Sequence, residues 1–441
     1  MVYKVGMVSL GCPKNQIDAE AMLKKLCDAG FEITPYEAEA DVIIVNTCGF
    51  IEEAKREAID NILDVCRYKA EGNLKAIVVT GCLAERYKQE VLDELPEVDA
   101  VVGIGKNGDI VQIINRALSG EKFCTFAEKT QLDINSPRML STPFYTAYLK
   151  IAEGCDNCCT YCAIPMIRGR FRSRKTGEIV KEAKQLVDLG VKEIVLVAQD
   201  TTRYGEDLYN RKMLPQLLDE LCKIEGLKWI RMLYTYPDRI TDELLDTMAK
   251  QQKVVNYLDI PIQHCNRNIL KRMNRTGDRQ GLIDLLKKIR TKLPDVTIRT
   301  TLITGFPGED LAEFEELCEF VKEAEFDRLG CFAYSEEEGT IAAEFEPKVD
   351  KQIRFDRAET VMNDQYTIVT KKNRLKIGTS QEVLVEGYDK YIKMYFGRTK
   401  HDAPDIDGKV FFKSDCSLQT GEFAEVKITD ILEYDLLGER I

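Results

Sequence analysis

The stretch GCDNCCTYC, residues 154–162, places four cysteines within nine residues, directly after the apolar run TAYLKIAE (146–153). An apolar run without alternation predicts a strand buried on both faces, so the cysteines fall on a loop at its carboxyl end. The chain beyond repeats this pattern. Strand-like KEIVLVAQD (192–200), WIRMLYTYP (229–237), YLDIPIQ (257–263), TIRTTLITG (297–305) and RLGCFAYS (328–335) alternate with helical segments such as EIVKEAKQLVDLG (178–190) and DLAEFEELCEFVKEAE (310–325). Six such units with right-handed crossovers predict a parallel sheet curled into an open, three-quarter barrel, with its reactive centre at the carboxyl ends of the strands.

Working outward, residues 1–125 carry a second βα series. DVIIVNTC (41–48) and KAIVVTGC (75–82) are Val/Ile runs followed by helical segments. They predict a doubly wound parallel sheet. Residues 126–143, with two prolines and little periodicity, read as a linker to the barrel domain, 144–375. From 376 to 441 the texture changes to period two, as in EVLVEGY (382–388) and EFAEVKITDILEYDLL (422–437). That alternation predicts a small antiparallel β-barrel of the OB type. The fold class is α/β with this β-barrel appended.

The 441 residues suffice for two or three domains, and 44% of them are hydrophobic. No run of eighteen apolar residues predicts a membrane span, and no secretory leader is legible, so a soluble, cytoplasmic protein is expected. The net charge of −12 disfavours nucleic acid and favours a basic partner. Fifteen cysteines, an odd number in a chain this long, point to metal or redox use where they cluster rather than to disulfides.

The spacing of 154–162 allows three ligand sets. Cys155, Cys159 and Cys162 give C-x3-C-x2-C; Cys155, Cys158 and Cys162 give C-x2-C-x3-C; all four together could hold zinc. Three thiolates on an iron–sulfur cube leave one iron open to a small molecule. In the first domain Cys12, Cys48 and Cys82 each follow a strand. Strand ends of an open α/β sheet converge on one crevice, so these three read as a second site. The remaining cysteines lack mutual spacing and read as ordinary core or surface thiols.

Other signals are weaker. GIGKNG (103–108) matches a dinucleotide fingerprint but follows the last strand of its domain, and reads as a turn. IRGRFRSRK (167–175) brings four arginines beside the cysteine loop, as an anion contact or a brace for cluster charge. Gln199, Gln263, Gly305, Pro307 and Gly308 end barrel strands and are candidates for lining an adenosyl pocket; His264 reads as structural.

C-x3-C-x2-C after the first strand of a six-unit barrel resembles the radical S-adenosylmethionine enzymes. With both cysteine sets the likeness sharpens: SLGCPKNQIDAE, NTCGFIEEAK, EGCDNCCTYCAIPMIRGRFRSR, YLDIPIQH and TGFPGE are similar to the motifs of the methylthiotransferases, over nearly the whole chain. The resemblance implies an N-terminal cluster domain, a radical barrel and a C-terminal TRAM domain. It implies two 4Fe–4S clusters, one on Cys155, Cys159 and Cys162, where S-adenosylmethionine is cleaved, and one on Cys12, Cys48 and Cys82, with Cys158 a bystander. One branch of that family modifies an adenosine of transfer RNA; another modifies the β-carbon of an aspartate in a small-subunit ribosomal protein. CFAYSEEEGTIAA and GRTKHDAPDIDG resemble the second branch. Nine Lys/Arg against thirteen Asp/Glu from Lys376 onward agree, because an RNA-binding barrel should be basic. The implied partners are a basic ribosomal protein or the ribosome, and an external electron donor; transfer RNA is the alternative substrate, and an electron carrier without catalysis the alternative of another class.

Overall fold

The computed structural model describes residues 2–72 and 74–441. Its first sheet joins β1 (Lys4–Ser9), β2 (Glu32–Ile33), β3 (Val42–Thr47), β4 (Ala76–Gly81), β5 (Ala100–Val102) and β6 (Phe123–Thr125) in the order 2-1-3-4-5-6, all parallel. Alternate residues of its central strands feed two cores. Ile43, Val45, Ile77 and Val79 pack on one face; Val42, Ile44, Ala76 and Val78 pack on the other. Both faces are covered, which is why these strands show no polar alternation.

The second sheet contains β7 (Thr146–Lys150), β10 (Glu193–Val197), β11 (Trp229–Met232), β12 (Val254–Gln263), β13 (Thr297–Thr304) and β14 (Arg328–Ala333), in the order 14-13-12-11-10-7 and parallel throughout. Its two edges do not meet, so it is the predicted open barrel. A two-residue ladder, β8 (Ala152–Glu153) against β9 (Arg172–Ser173), ties the base of the cysteine loop. The helix Lys351–Arg374 packs on β14 and leads to the last domain.

There β15 (Ser380–Asp389), β16 (Met394–Thr399), β17 (Val410–Lys413), β18 (Phe423–Leu432) and β19 (Asp435–Arg440) close a barrel in the order 15-16-17-19-18. The fully antiparallel barrel expected from sequence is corrected in one pairing: β17 and β19 run parallel. A ring of five strands cannot alternate in direction all the way round, so closure forces one like-directed pair. The run 422–437 also divides into two strands, with Glu433 turning between them at φ +53°.

The three domains interlock. Val195, Val197, Tyr148 and Tyr257, on the faces of barrel strands turned away from the outer helices, pack with Leu384 and Ala403 of the C-terminal barrel and with Ile17 of the first domain. The 126–143 segment is pinned down: Arg138 is buried, donates to Glu182 Oε1 at 2.7 Å and also binds Glu20. Among the described residues, no helix is long and apolar enough to cross a membrane.

Candidate active site

The helix Pro13–Asp28 begins immediately after Cys12, β3 ends at Thr47, just before Cys48, and Cys82 opens the helix Cys82–Tyr87 after β4. Parallel strands bring these three ends to one edge. Gly11 passes so close to Cys48 that an added Cβ would stand 3.0 Å from its Sγ. Burial pushes the Cys82 thiol up to about 11, and charge on Cys12 or Cys48 would push it further, while Arg168 opposes both. Cys12 differs: burial disfavours its thiolate, but Lys14 and Arg168 outweigh this and hold it below the ordinary thiol range.

The second trio lies on the loop after β8. Gly154, at φ +79°, admits the turn; a side chain there would meet the carbonyl of Arg170 at 2.1 Å. Cys155 N–H donates to Gly169 O at 3.0 Å, and Cys162 N–H to Cys159 O at 3.0 Å. Burial pushes Cys155 up to about 11 and Cys162 further still, each also feeling Cys159. Cys158 stands apart. It is exposed, at φ +51°, and its carbonyl is held by Asn274. No group of three or more His, Cys, Asp or Glu among the described residues is gathered closely enough for a single metal ion. Within each set the thiols are close enough to act on one another's ionisation: Cys12 and Cys48 on Cys82, and Cys159 and Cys155 on Cys162.

A buried chain of charges links the two loops. Arg168 Nη2 lies 3.5 Å from Cys82 Sγ and 3.1 Å from Asn15 Oδ1, and Nη1 donates to Asp18 Oδ2 at 2.5 Å. Lys150 Nζ donates to Asp18 Oδ1 at 2.5 Å and to Glu153 Oε2 at 2.8 Å. Glu153 accepts from Gln199 Nε2 at 2.8 Å and from Gly154 N–H at 3.2 Å. Burial disfavours its charge, yet Lys150 and Arg168 hold its carboxyl down to about 2. The arginine run is thereby divided. Arg168 braces Cys82 of the first domain, not the adjacent loop cysteines; Arg174 pairs with Glu182 at 2.6 Å; Arg170 points to solvent. Cys159 instead faces Arg275, at 3.9 Å, on a segment that carries no motif.

The candidate adenosyl residues fare unequally. Gln199 Oε1 is buried beside the loop without a partner among the described residues, as is Asn157 Oδ1, whose amide donates to Asp200 at 2.9 Å. Unpaired buried oxygens suit a polar ligand. Gln263 is buried at the end of β12 with φ +74°. At Gly305 and Gly308 the side on which a Cβ would stand is occupied by Arg354 and Arg272, with nearest atoms 2.3 and 3.0 Å from an added Cβ. Pro307 O accepts from Arg272 Nε at 2.9 Å. His264 is fully buried, accepts from Asn266 N–H at Nδ1 and faces Glu309 at 3.4 Å.

Lys14, Asp18, Glu153, Asn157 and Arg275 were not singled out in the sequence. Glu153 and Asn157 adjoin the cysteine loop and could have been suspected; Arg275 carried no signal.

The C-terminal barrel's charge is partly spent on docking. Asp402 binds Arg328 at 2.5 Å, Asp407 accepts from Tyr257 at 2.6 Å, and Asp405 accepts from Tyr148 at 3.1 Å. These acids of GRTKHDAPDIDG form the seam with the radical barrel, so the acidic excess left for a partner is smaller than the residue count suggests.

An open parallel barrel with a four-cysteine loop after its first strand, preceded by an α/β domain with a cysteine at each of three strand ends and followed by a closed β-barrel, defines a radical S-adenosylmethionine enzyme of the methylthiotransferase type. Family descriptions match in that order: "Uncharacterized protein family UPF0004" over 4–103, "Radical SAM superfamily" over 149–321 and "TRAM domain" over 377–441. The chain is 51% identical to the "Ribosomal protein uS12 methylthiotransferase RimO" of Pelotomaculum thermopropionicum, over 100% of both chains. It is 47% identical to the protein of that name from Clostridioides difficile, over 99% of each. The chain belongs to this RimO family. Among solved structures it is similar in fold to the radical methyltransferase TsrM of Kitasatospora setae, with a TM-score of 0.58, 13% identity, and coverage of 76% of this chain and 72% of that one.

Proposed function

We propose that this chain inserts a methylthio group at the β-carbon of an aspartate of the small-subunit ribosomal protein uS12. The observation that carries this reading is the pair of cysteine trios joined by one buried charge network through Arg168, Asp18, Lys150 and Glu153. Cys155, Cys159 and Cys162 hold one 4Fe–4S cluster and Cys12, Cys48 and Cys82 the other. The donor chemistry fits, since thiolates in a dry site need a metal to stabilise their charge. When bound, the clusters and S-adenosylmethionine supply the radical that takes hydrogen from an unactivated carbon, and the sulfur that replaces it. The chain's own residues do the rest. Arg168 and Arg275 offset negative charge on the two cysteine sets, Gln199 and Asn157 offer free oxygens to the polar groups of S-adenosylmethionine, and the interlocked domains keep the two loops at a fixed separation.

An external electron donor completes the reaction, and the protein works in the cytoplasm, where its ribosomal substrate resides. Anaerobic reconstitution, iron counting, deoxyadenosine release and the mass of uS12 after turnover test the reading. Two clusters and a methylthio gain on uS12 are expected. A gain on transfer RNA with none on uS12 would replace the substrate, and iron without deoxyadenosine would leave an electron carrier.

A further inference from the structure

Lys14 is 7% exposed, and among the described residues no carboxylate lies within ion-pairing distance of it. A buried ammonium with no carboxylate partner, and with the Cys12 thiol as its neighbour of potential negative charge, is costly to retain. The acid one turn along its helix is already taken: Asp18 is shared by Lys150 and Arg168. Lys14 Nζ instead sits 3.5 Å above the centroid of the Tyr234 ring. That tyrosine follows β11 at the barrel rim with φ +60°, a strained conformation for an aromatic residue. Its carbonyl accepts from Thr201 N–H at 3.0 Å, and the preceding Asp200 holds Asn157 of the cysteine loop. The ammonium therefore lies between the Cys12 end of one trio and the barrel rim beside the other.

We infer that Lys14, backed by the Tyr234 ring, binds the side-chain carboxylate of the substrate aspartate. The inference rests on the function proposed above and adds the recognition element to it. Hydrogen leaves the carbon adjacent to that carboxylate, so a cation at this position fixes the reacting carbon between the two loops. It also makes the site selective, because an asparagine in the same place leaves the buried charge unpaired.

The competing role is a counter-charge for the cysteine trio next to it. The test uses the reconstituted full chain and measures Kd for uS12 and for uS12 with the target aspartate changed to asparagine, alongside iron content and the electron paramagnetic resonance of both clusters. The wild type should prefer aspartate by about tenfold to a hundredfold. Lys14→Met should bring that ratio near one with iron and spectra unchanged, and Lys14→Arg should keep most of the preference. A ratio retained in Lys14→Met overturns the inference, as does a ratio lost only together with the iron of the first trio. A wild type that binds both forms of uS12 alike overturns the inference alone; one that binds neither overturns the substrate reading.

Discussion

The Arg168 guanidinium, from the radical barrel, lies 3.5 Å from the Cys82 sulfur of the first domain, with its other face against Asp18. One buried side chain thus ties Cys82 to the charge network of Asp18, Lys150 and Glu153 at the base of the other cysteine loop. Arg168→Met leaves Asp18 and Glu153 with Lys150 alone. Breaking such a buried network costs about 3–5 kcal/mol. Urea unfolding should show a loss of that size, and iron counting should show depletion at the first trio.

Cys158 offers a control within the loop. It is exposed, with φ +51°. Cys158→Ala should leave iron content intact and stability within about 0.5 kcal/mol. Cys159→Ala, on the same loop, should lose one cluster. Equal losses in the two variants would show that the ligand set is wrong.

Gly154 sets the loop's path. Its φ of +79° and the Arg170 carbonyl at 2.1 Å from an added Cβ leave no room for a methyl group. Gly154→Ala should displace Cys155 and abolish deoxyadenosine release, while circular dichroism stays near that of the wild type.

Glu193 holds the C-terminal barrel in place. It is fully buried between Arg231, at 2.9 Å, and Arg398 of that barrel, at 2.6 Å. Glu193→Gln removes the carboxylate from Arg231 and one of the two carboxylates from Arg398, which keeps Glu386 at 2.7 Å, and should cost about 3–5 kcal/mol. Limited proteolysis should then cleave between the Lys351–Arg374 helix and β15 sooner than in the wild type.

His401 gives the seam a pH dependence. Its Nδ1 meets Thr297 Oγ1 at 2.9 Å, and burial, reinforced by Lys376, lowers the imidazole from 6.5 to about 4. Asp402 and Asp295 oppose that shift and Lys400 adds to it. The folded state therefore binds fewer protons than the unfolded chain between these values. Stability is full above pH 6.5 and falls as pH drops toward 4, by at most about 1.4 kcal/mol per unit. Thermal unfolding of His401→Asn should lose that part of the slope; an unchanged slope would assign it to other groups.

The sequence alone determined the local and the periodic. Runs of valine and isoleucine without polar alternation specified parallel strands covered on both faces, and the crowding of four cysteines into residues 154–162 singled out the loop after the first barrel strand. Cys12, Cys48 and Cys82 could be grouped because parallel strands carry all their carboxyl ends to one edge, a rule that needs no coordinates. Tertiary structure alone decided which charges meet. Arg168, eighty-six positions from Cys82, reaches it only because two domains pack face to face, and Asp402 and Asp407 turn inward to a seam that composition counts as surface. Gly305 and Gly308 make the same point, since a glycine reports that something comes close, and the fold places Arg354 and Arg272 on the side a Cβ would take. Strand periodicity is set by neighbours along the chain, whereas charge pairing depends on distances through space, which one sequence read in order does not contain.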